Sequence, residues 1–354
     1  MAASLAITAA SALGAFAISA AVTAVSIGYA RRRKLIDEPG RRRSHSEPTP
    51  RGGGIAIVVA VLACAGLVVG VPGPAMAALA FALVLVAAIG WIDDHRPLHA
   101  GLRLAAHVLA ALVLVVSLDL LPTDVRTSGS VGMLAAMGMP GVLIVWSINL
   151  HNFMDGIDGL LATQAMFVLA ACSALLFEAH EPGHAAAALV CVAAVAGFLP
   201  FNFPRARIFM GDVGSGALGL LIAVFAIAVA AQGPAYAASA LIACSAFVMD
   251  ATATLLSRML RGRRWYSAHR EHLYQWLVRG GRRHRTVVGW YMGWNLAIVA
   301  PTLCWIHRVP ESDMAATPVL MQPATHALVV VYSLALVLWC CGKRHCLKRA
   351  AQRD

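Results

Sequence analysis

Apolar runs of about 18 residues, each long enough to cross a bilayer as a helix, recur from residue 4 to residue 341. No water inside a bilayer satisfies the backbone, so a chain built this way must close its hydrogen bonds within helices. Eleven spans are expected, near residues 4–30, 55–71, 75–92, 104–118, 131–148, 160–177, 184–200, 217–231, 235–256, 286–306 and 325–341. Composition agrees: 60% of residues are hydrophobic, 13% are charged and the mean hydropathy is +0.74, whereas a soluble domain carries about 25% charge. The expected fold is all-α, a polytopic integral membrane helical bundle forming a single membrane domain over residues 1–354.

The net charge of +11 raises the question of nucleic acid, and its placement answers against it. With the N-terminus outside, the inside segments are 31–54, 93–103, 149–159, 201–216, 257–285 and 342–354, and they hold 26 of the 28 Lys and Arg. This is the positive-inside pattern. It puts the C-terminus in the cytoplasm and a basic, phosphate-friendly surface on that face. Arg31-Arg32-Arg33-Lys34 follows the first apolar run rather than preceding it, so that run is expected to be a membrane helix and not a cleaved signal peptide. The eight cysteines form no CxxC pair and lie mostly in apolar runs, which argues against a zinc or disulfide framework and for small apolar residues.

The acids carry the chemistry. Asp93, Asp94, Asp155, Asp158 and Asp212 come from three separate loops on the inside face. The densest stretch is Asn149-Leu150-His151-Asn152-Phe153-Met154-Asp155-Gly156-Ile157-Asp158-Gly159-Leu160, set between the apolar runs Val131 to Ile148 and Leu160 to Phe177. Its polar residues recur every third position. In an α-helix that row drifts around the axis; in a 3₁₀ turn, or in backbone loosened by Gly156 and Gly159, it faces one ligand. A capped polar loop is the plain alternative. Asp93 and Asp94 are adjacent carboxylates, which repel unless a cation or proton is shared. Asp212 stands between Gly211 and Gly214, with Asn202, Arg205 and Arg207 upstream; the turn suits a metal ligand, and its glycines also suit close helix packing. The 31–54 loop contributes Arg42, His45 and Gly52-Gly53-Gly54, arginines for phosphate oxygens and glycines for close backbone approach. Asp250 lies inside the ninth span, either functional or hydrogen-bonded to Thr252 or Thr254. The last inside loop carries His269, Arg270 and His272, which suit phosphate better than a two-histidine zinc site. Magnesium with a phosphorylated substrate reconciles carboxylates, arginines and glycine turns, because the metal offsets both negative partners.

Taken together, Asp37-x-Pro39 with Arg42, His45 and Gly52-Gly53, then Asp93-Asp94, then Asn149-x-x-Asn152-x-x-Asp155-Gly-x-Asp158-Gly, then Phe209-Met-Gly211-Asp212-x-Gly214-Ser215 resemble the polyprenyl-phosphate N-acetylhexosamine-1-phosphate transferases of glycosyltransferase family 4. The motifs run in family order over residues 37 to 275. The resemblance implies a bacterial inner-membrane enzyme in which undecaprenyl phosphate attacks the β-phosphorus of a UDP-N-acetylhexosamine, releasing UMP and starting a lipid-linked glycan such as O-antigen. It implies magnesium, with manganese as a substitute, on Asp212 and Asn152. It places Asp155 and Asp158 near the nucleotide and Asp93, accompanied by Asp94, at the lipid phosphate. It makes Arg42, His45, Asn149, Asn202, Arg205, His269, Arg270 and His272 substrate contacts, and a homodimer the expected assembly. The loop reading Ala268-His269-Arg270-Glu271-His272-Leu273-Tyr274-Gln275 is similar to the O-antigen and capsule initiators rather than to the peptidoglycan branch. Two rival classes are an intramembrane prenyltransferase, whose spaced Asp-rich repeats Asp93-Asp94-His95-Arg96-Pro97 does not supply, and an ion or solute transporter, which needs acids deep in several spans, whereas only Asp250 is clearly deep.

Overall fold

The computed structural model describes residues 2–38, 47–69, 73–117, 130–263, 269–309 and 318–351. Every apolar run becomes helical. Helix α1 is Ala2–Arg32, and a two-residue antiparallel ladder follows, β1 (Ile36–Asp37) with β2 (Thr49–Pro50), Ile36 opposite Pro50 and Asp37 opposite Thr49. Then come α2 (Ile55–Val69), α3 (Pro74–His95), α4 (Ala100–Ser117), α5 (Ser130–Met154), α6 (Leu160–Glu178), α7 (Pro182–Asn202) and α8 (Asp212–Ala230). The remainder is α9 (Pro234–Ala243), α10 (Ser245–Leu260), α11 (Leu273–Arg279), α12 (His284–Trp294), a π turn at Asn295–Val299, α13 (Ala300–Ile306), a 3₁₀ turn at Val319–Met321 and α14 (Pro323–Ala351).

Among the described residues, eight helices are long and apolar enough to cross a membrane, or nine if α9 and α10, bent by 71° at Cys244, make one broken span. That is fewer than the eleven expected. Helix α2, at 15 residues, is about 22 Å long, short of a bilayer core of about 30 Å. Helix α5 runs past the apolar stretch to Met154, so Asn149 and Asn152 are helical rather than in a loop.

Helix α8 is the axis of the bundle. Every residue from Val213 to Ala223 is buried, and α2, α3, α5, α6, α7 and α9 all pack on it. Three glycines set its depth. A Cβ on Gly54 would overlap the backbone of Gly214; one on Gly90 would stand 2.5 Å from Asp212 C, and one on Gly219 2.6 Å from Ser147 O. Small residues at helix crossings let backbones close in, which is how apolar helices associate when lipid is as greasy as they are. The 52–54 glycines are used in the same way: Gly53 and Gly54 N–H groups bond to Phe209 and Met210 carbonyls at 2.9 and 2.8 Å. They bring backbone to the 209–214 turn. A second apolar cluster joins α9, α13 and α14 around Ile242, Val299, Ile306 and Val331. Leu13, Val25 and Val330 are exposed on the outermost helices, as lipid-facing residues are.

Candidate active site

The site forms where α3, α4, α5 and α8 end together. Helix α3 stops at His95, with Arg96 N–H bonding Ile92 O, because Pro97 follows and disfavours helical backbone at the residue before it. Its last turn presents Asp93 and Asp94 to different partners. Asp94, 3% exposed, accepts the N–H groups of Asp212 at 3.2 Å and Val213 at 3.3 Å. These are the first two residues of α8, whose N–H groups have no partner within the helix. Arg51 lies 3.9 Å from the same carboxylate and also donates to the Asp94 carbonyl. Gly211 makes the approach feasible: its φ is +76°, and a Cβ there would stand 2.5 Å from Asp94 Oδ2.

Asp93 faces the other way. Leu98 N–H donates to it at 2.6 Å and Arg103 Nη1 at 2.7 Å. The same Arg103 nitrogen reaches Asp212 Oδ2 at 3.1 Å, so one guanidinium from α4 bridges two carboxylates. Asn152, on the last turn of α5, bonds Ser215 Oγ at 3.1 Å and touches the Asp212 side chain. Asn149, three residues earlier, diverges: its amide donates to Val145 O at 2.7 Å and lies 3.4 Å from His107 Nδ1. The helical drift of the Asn row is therefore what the structure shows. Asp155, just beyond α5, has its carboxyl pushed up to about 8 by burial and then by the charges of Asp212, Asp94 and Asp158. Burial is the larger cause, and the neighbouring carboxylates add to it. Among the described residues no three His, Cys, Asp or Glu side chains converge to enclose a metal. Magnesium needs only one or two protein carboxylates when phosphate oxygens complete its shell, and Asp212 with Asn152 fits that partial set.

Beside the acids lies a cleft of about 330 Å³ lined by Asp158, Arg205, Phe209, Arg283, His284 and Arg285 among others. Asp158 Oδ2 is 3.2 Å from His284 Nδ1 and accepts Ala206 N–H at 3.3 Å. Arg205 is paired with Glu47 at the rim. Asn202 does not line the cleft. It is 4% exposed, and its amide accepts Gly159 N–H at 2.9 Å and donates to Ile208 O at 3.0 Å, pinning two loops together. Arg42 and His45 lie outside the described residues.

The last loop meets the α5 end from another side. His272 is 1% exposed; its ring stacks on Phe153 at 6.2 Å between centroids and lies 4.9 Å from that of His269. Burial, then His272 and Arg258, holds His269 down at about 4, and burial lowers His272 too. At that value the His269 imidazole is neutral near pH 7. Arg270 lies between them in the same non-helical segment.

Sequence reasoning missed Arg103, His284 and the arginines beside it. In the sequence Arg103 reads only as one of the orienting charges of the 93–103 segment. The usable signal was Arg103 with His107, one turn apart on an apolar helix, where polar groups are costly without a task.

Residues 76–230 match Glycosyl transferase family 4. The chain is 32% identical over 295 residues to the decaprenyl-phosphate N-acetylglucosaminephosphotransferase of Mycobacterium leprae, covering 73% of this chain and 74% of the relative. The Mycolicibacterium smegmatis protein of the same name is 32% identical over 310 residues, 76% of each chain. The undecaprenyl-phosphate alpha-N-acetylglucosaminyl 1-phosphate transferase of Escherichia coli K12 is 28% identical over 334 residues, 89% of this chain and 84% of the relative. With its acids gathered at the head of α8, inside the matched segment, this chain belongs to glycosyl transferase family 4, among the polyprenyl-phosphate N-acetylhexosamine-1-phosphate transferases.

Proposed function

We propose that the protein transfers an N-acetylhexosamine 1-phosphate from its UDP-sugar to undecaprenyl phosphate at the cytoplasmic face of a bacterial inner membrane. A phosphate oxygen of the lipid bonds to the donor's β-phosphorus, the bond from that phosphorus to the bridging oxygen breaks, and UMP leaves. The observation that carries this reading is the juxtaposition of Asp212 and Asp93, bridged by Arg103, and of Asn152 beside Asp212, with the arginine-lined cleft that holds Asp158. One end suits two phosphates that must meet; the other suits a nucleotide.

In this reading Asp212 and Asn152 hold magnesium, which when bound neutralises charge on the donor diphosphate. Arg103 supplies a second positive charge between the two carboxylates. Asp93 has its oxygens committed to Leu98 and Arg103, which supports positioning of the lipid phosphate rather than removal of a proton. The nucleophile is already anionic, and positioning with charge neutralisation is the larger part of phosphoryl transfer. Asp158, fixed by His284, faces the donor. The basic loops favour anionic ligands and fix orientation.

The test uses purified protein in detergent with undecaprenyl phosphate, magnesium and a panel of UDP-N-acetylhexosamines. UMP and a polyprenyl diphosphate sugar formed together from one donor, and lost in Asp212→Asn, supports the proposal. UMP from no donor with folded protein overturns it, and release of inorganic diphosphate from a prenyl donor points to the prenyltransferase class.

A further inference from the structure

Asp250 has no part in the proposed chemistry, yet among the described residues its carboxylate accepts five hydrogen bonds. It lies in α10 and is 2% exposed. Its Oδ1 accepts Leu273 N–H at 2.7 Å, Trp339 Nε1–H at 3.1 Å and Thr254 Oγ1–H at 3.3 Å. Its Oδ2 accepts Tyr291 O–H at 2.7 Å and Tyr274 N–H at 3.3 Å. Five donors from α10, α11, α12 and α14 meet on one carboxylate. Two are the first N–H groups of α11, so Asp250 seats the start of that helix from a neighbouring one. These five donors engage both carboxylate oxygens.

The bonding continues towards the site. Tyr274, fully buried, donates its O–H to the Phe153 carbonyl at 3.0 Å. A Cβ on Gly156 would overlap the Tyr274 hydroxyl, so the ring is clasped by the turn that carries Asp155. Phe153 in turn stacks on His272. Asp250 thus holds Tyr274, and Tyr274 holds both the 153–156 turn and the His269–His272 loop.

We infer that Asp250 is a positioning residue: without touching substrate, it fixes the last loop and the Asp155 turn in one arrangement through α11 and Tyr274. The inference rests on the transferase reading for its kinetic consequence but not for its structural one. Asparagine is the informative replacement. It keeps one acceptor oxygen and turns an NH₂ towards N–H donors, leaving some of them unpaired.

The experiment compares wild type, Asp250→Asn and Tyr274→Phe as full-length proteins in detergent, by amide hydrogen exchange and by UMP release from UDP-N-acetylglucosamine with undecaprenyl phosphate. Asp250→Asn should unfold cooperatively, exchange about tenfold faster in residues 269–279, and show a donor KM about tenfold higher with a smaller change in kcat. Tyr274→Phe should speed exchange in 153–157 while leaving α11 seated. Unchanged exchange in 269–279, or faster exchange spread evenly over the helices, overturns the inference. Should Asp250→Asn fail to fold, Tyr291→Phe removes one donor and keeps the carboxylate; a rise of about threefold confined to 269–279 supports the inference, and a global rise overturns it. Wild type that releases no UMP removes the transferase reading, and the exchange data still decide the role of Asp250.

Discussion

Asp94 and Asp212 stand 118 positions apart in the chain, and the side chain of the first caps the backbone of the second: Asp94 Oδ1 accepts Asp212 N–H at 3.2 Å. The adjacent acids of α3 are thereby given different tasks, Asp94 setting where α8 begins and Asp93 facing Arg103. Replacing Asp94 by alanine leaves two N–H groups at the head of α8 without their acceptor, at a cost of about 2 kcal/mol. Thermal unfolding and UMP release should fall together in Asp94→Ala, with Asp94→Asn retaining more of both. Full stability with lost activity would instead place Asp94 on the substrate.

Arg103 competes with any cation for Asp93 and Asp212. In Arg103→Met, half-saturating magnesium should decrease because that competitor is gone, while turnover drops about 100-fold for want of a charge at the phosphates. A magnesium titration of UMP release measures both. An unchanged half-saturation would show that Arg103 and the metal do not share the acids.

The Asp155 carboxyl, held up at about 8, should make any metal binding at these acids depend on pH. In the metal-free protein the folded state binds this proton more tightly than the unfolded chain does. Metal-free stability should therefore fall as pH rises from about 4 towards about 8. A cation among the same acids lowers the carboxyl and expels the proton, so magnesium affinity should rise between about pH 6 and about pH 8 and level off above. Calorimetry in two buffers of different ionisation enthalpy detects the released proton. An affinity flat over that range would take Asp155 out of the charge balance.

His284 and Asp158 meet at 3.2 Å across the cleft. Removing the imidazole in His284→Ala frees the carboxylate to move, and the donor KM should rise about tenfold, the worth of one charge-assisted hydrogen bond. Steady-state kinetics with the donor varied gives the number. A fall in kcat at constant KM would mean the pair acts on the reacting phosphates instead.

Packing on α8 is tested by alanine at two glycines. In Gly54→Ala the new Cβ meets the Gly214 backbone, which has no side chain to move aside, and the loss should be about 3 kcal/mol. In Gly66→Ala nothing lies within 4 Å, so stability should hold or rise by a few tenths of a kcal/mol up to about 1 kcal/mol from helix propensity. The two unfolding curves in one detergent decide it.

The helical membrane class, the helix in each apolar run and the family were all legible in the residues. Burying about 18 apolar residues per segment leaves the backbone no alternative to a helix, and the acid and glycine motifs are local enough to read in order. What only the tertiary structure decided is where each polar side chain spends its bonds. Asn202 and Asp94 carry the same residue types as ligand contacts, yet one pins two loops and the other caps a helix, because their partners are backbone groups contributed by distant segments. Asn149 and Asn152 part company because α5 continues through them, a boundary set by packing on α8 and not by local pattern. Arg103 enters the site because α4 is placed beside Asp212, 109 residues further on, and Asp250 holds Tyr274 because α11 starts against α10. Spacing along the chain shows which groups are available; the crossing of helices, through glycines that admit close approach, determines which of them meet.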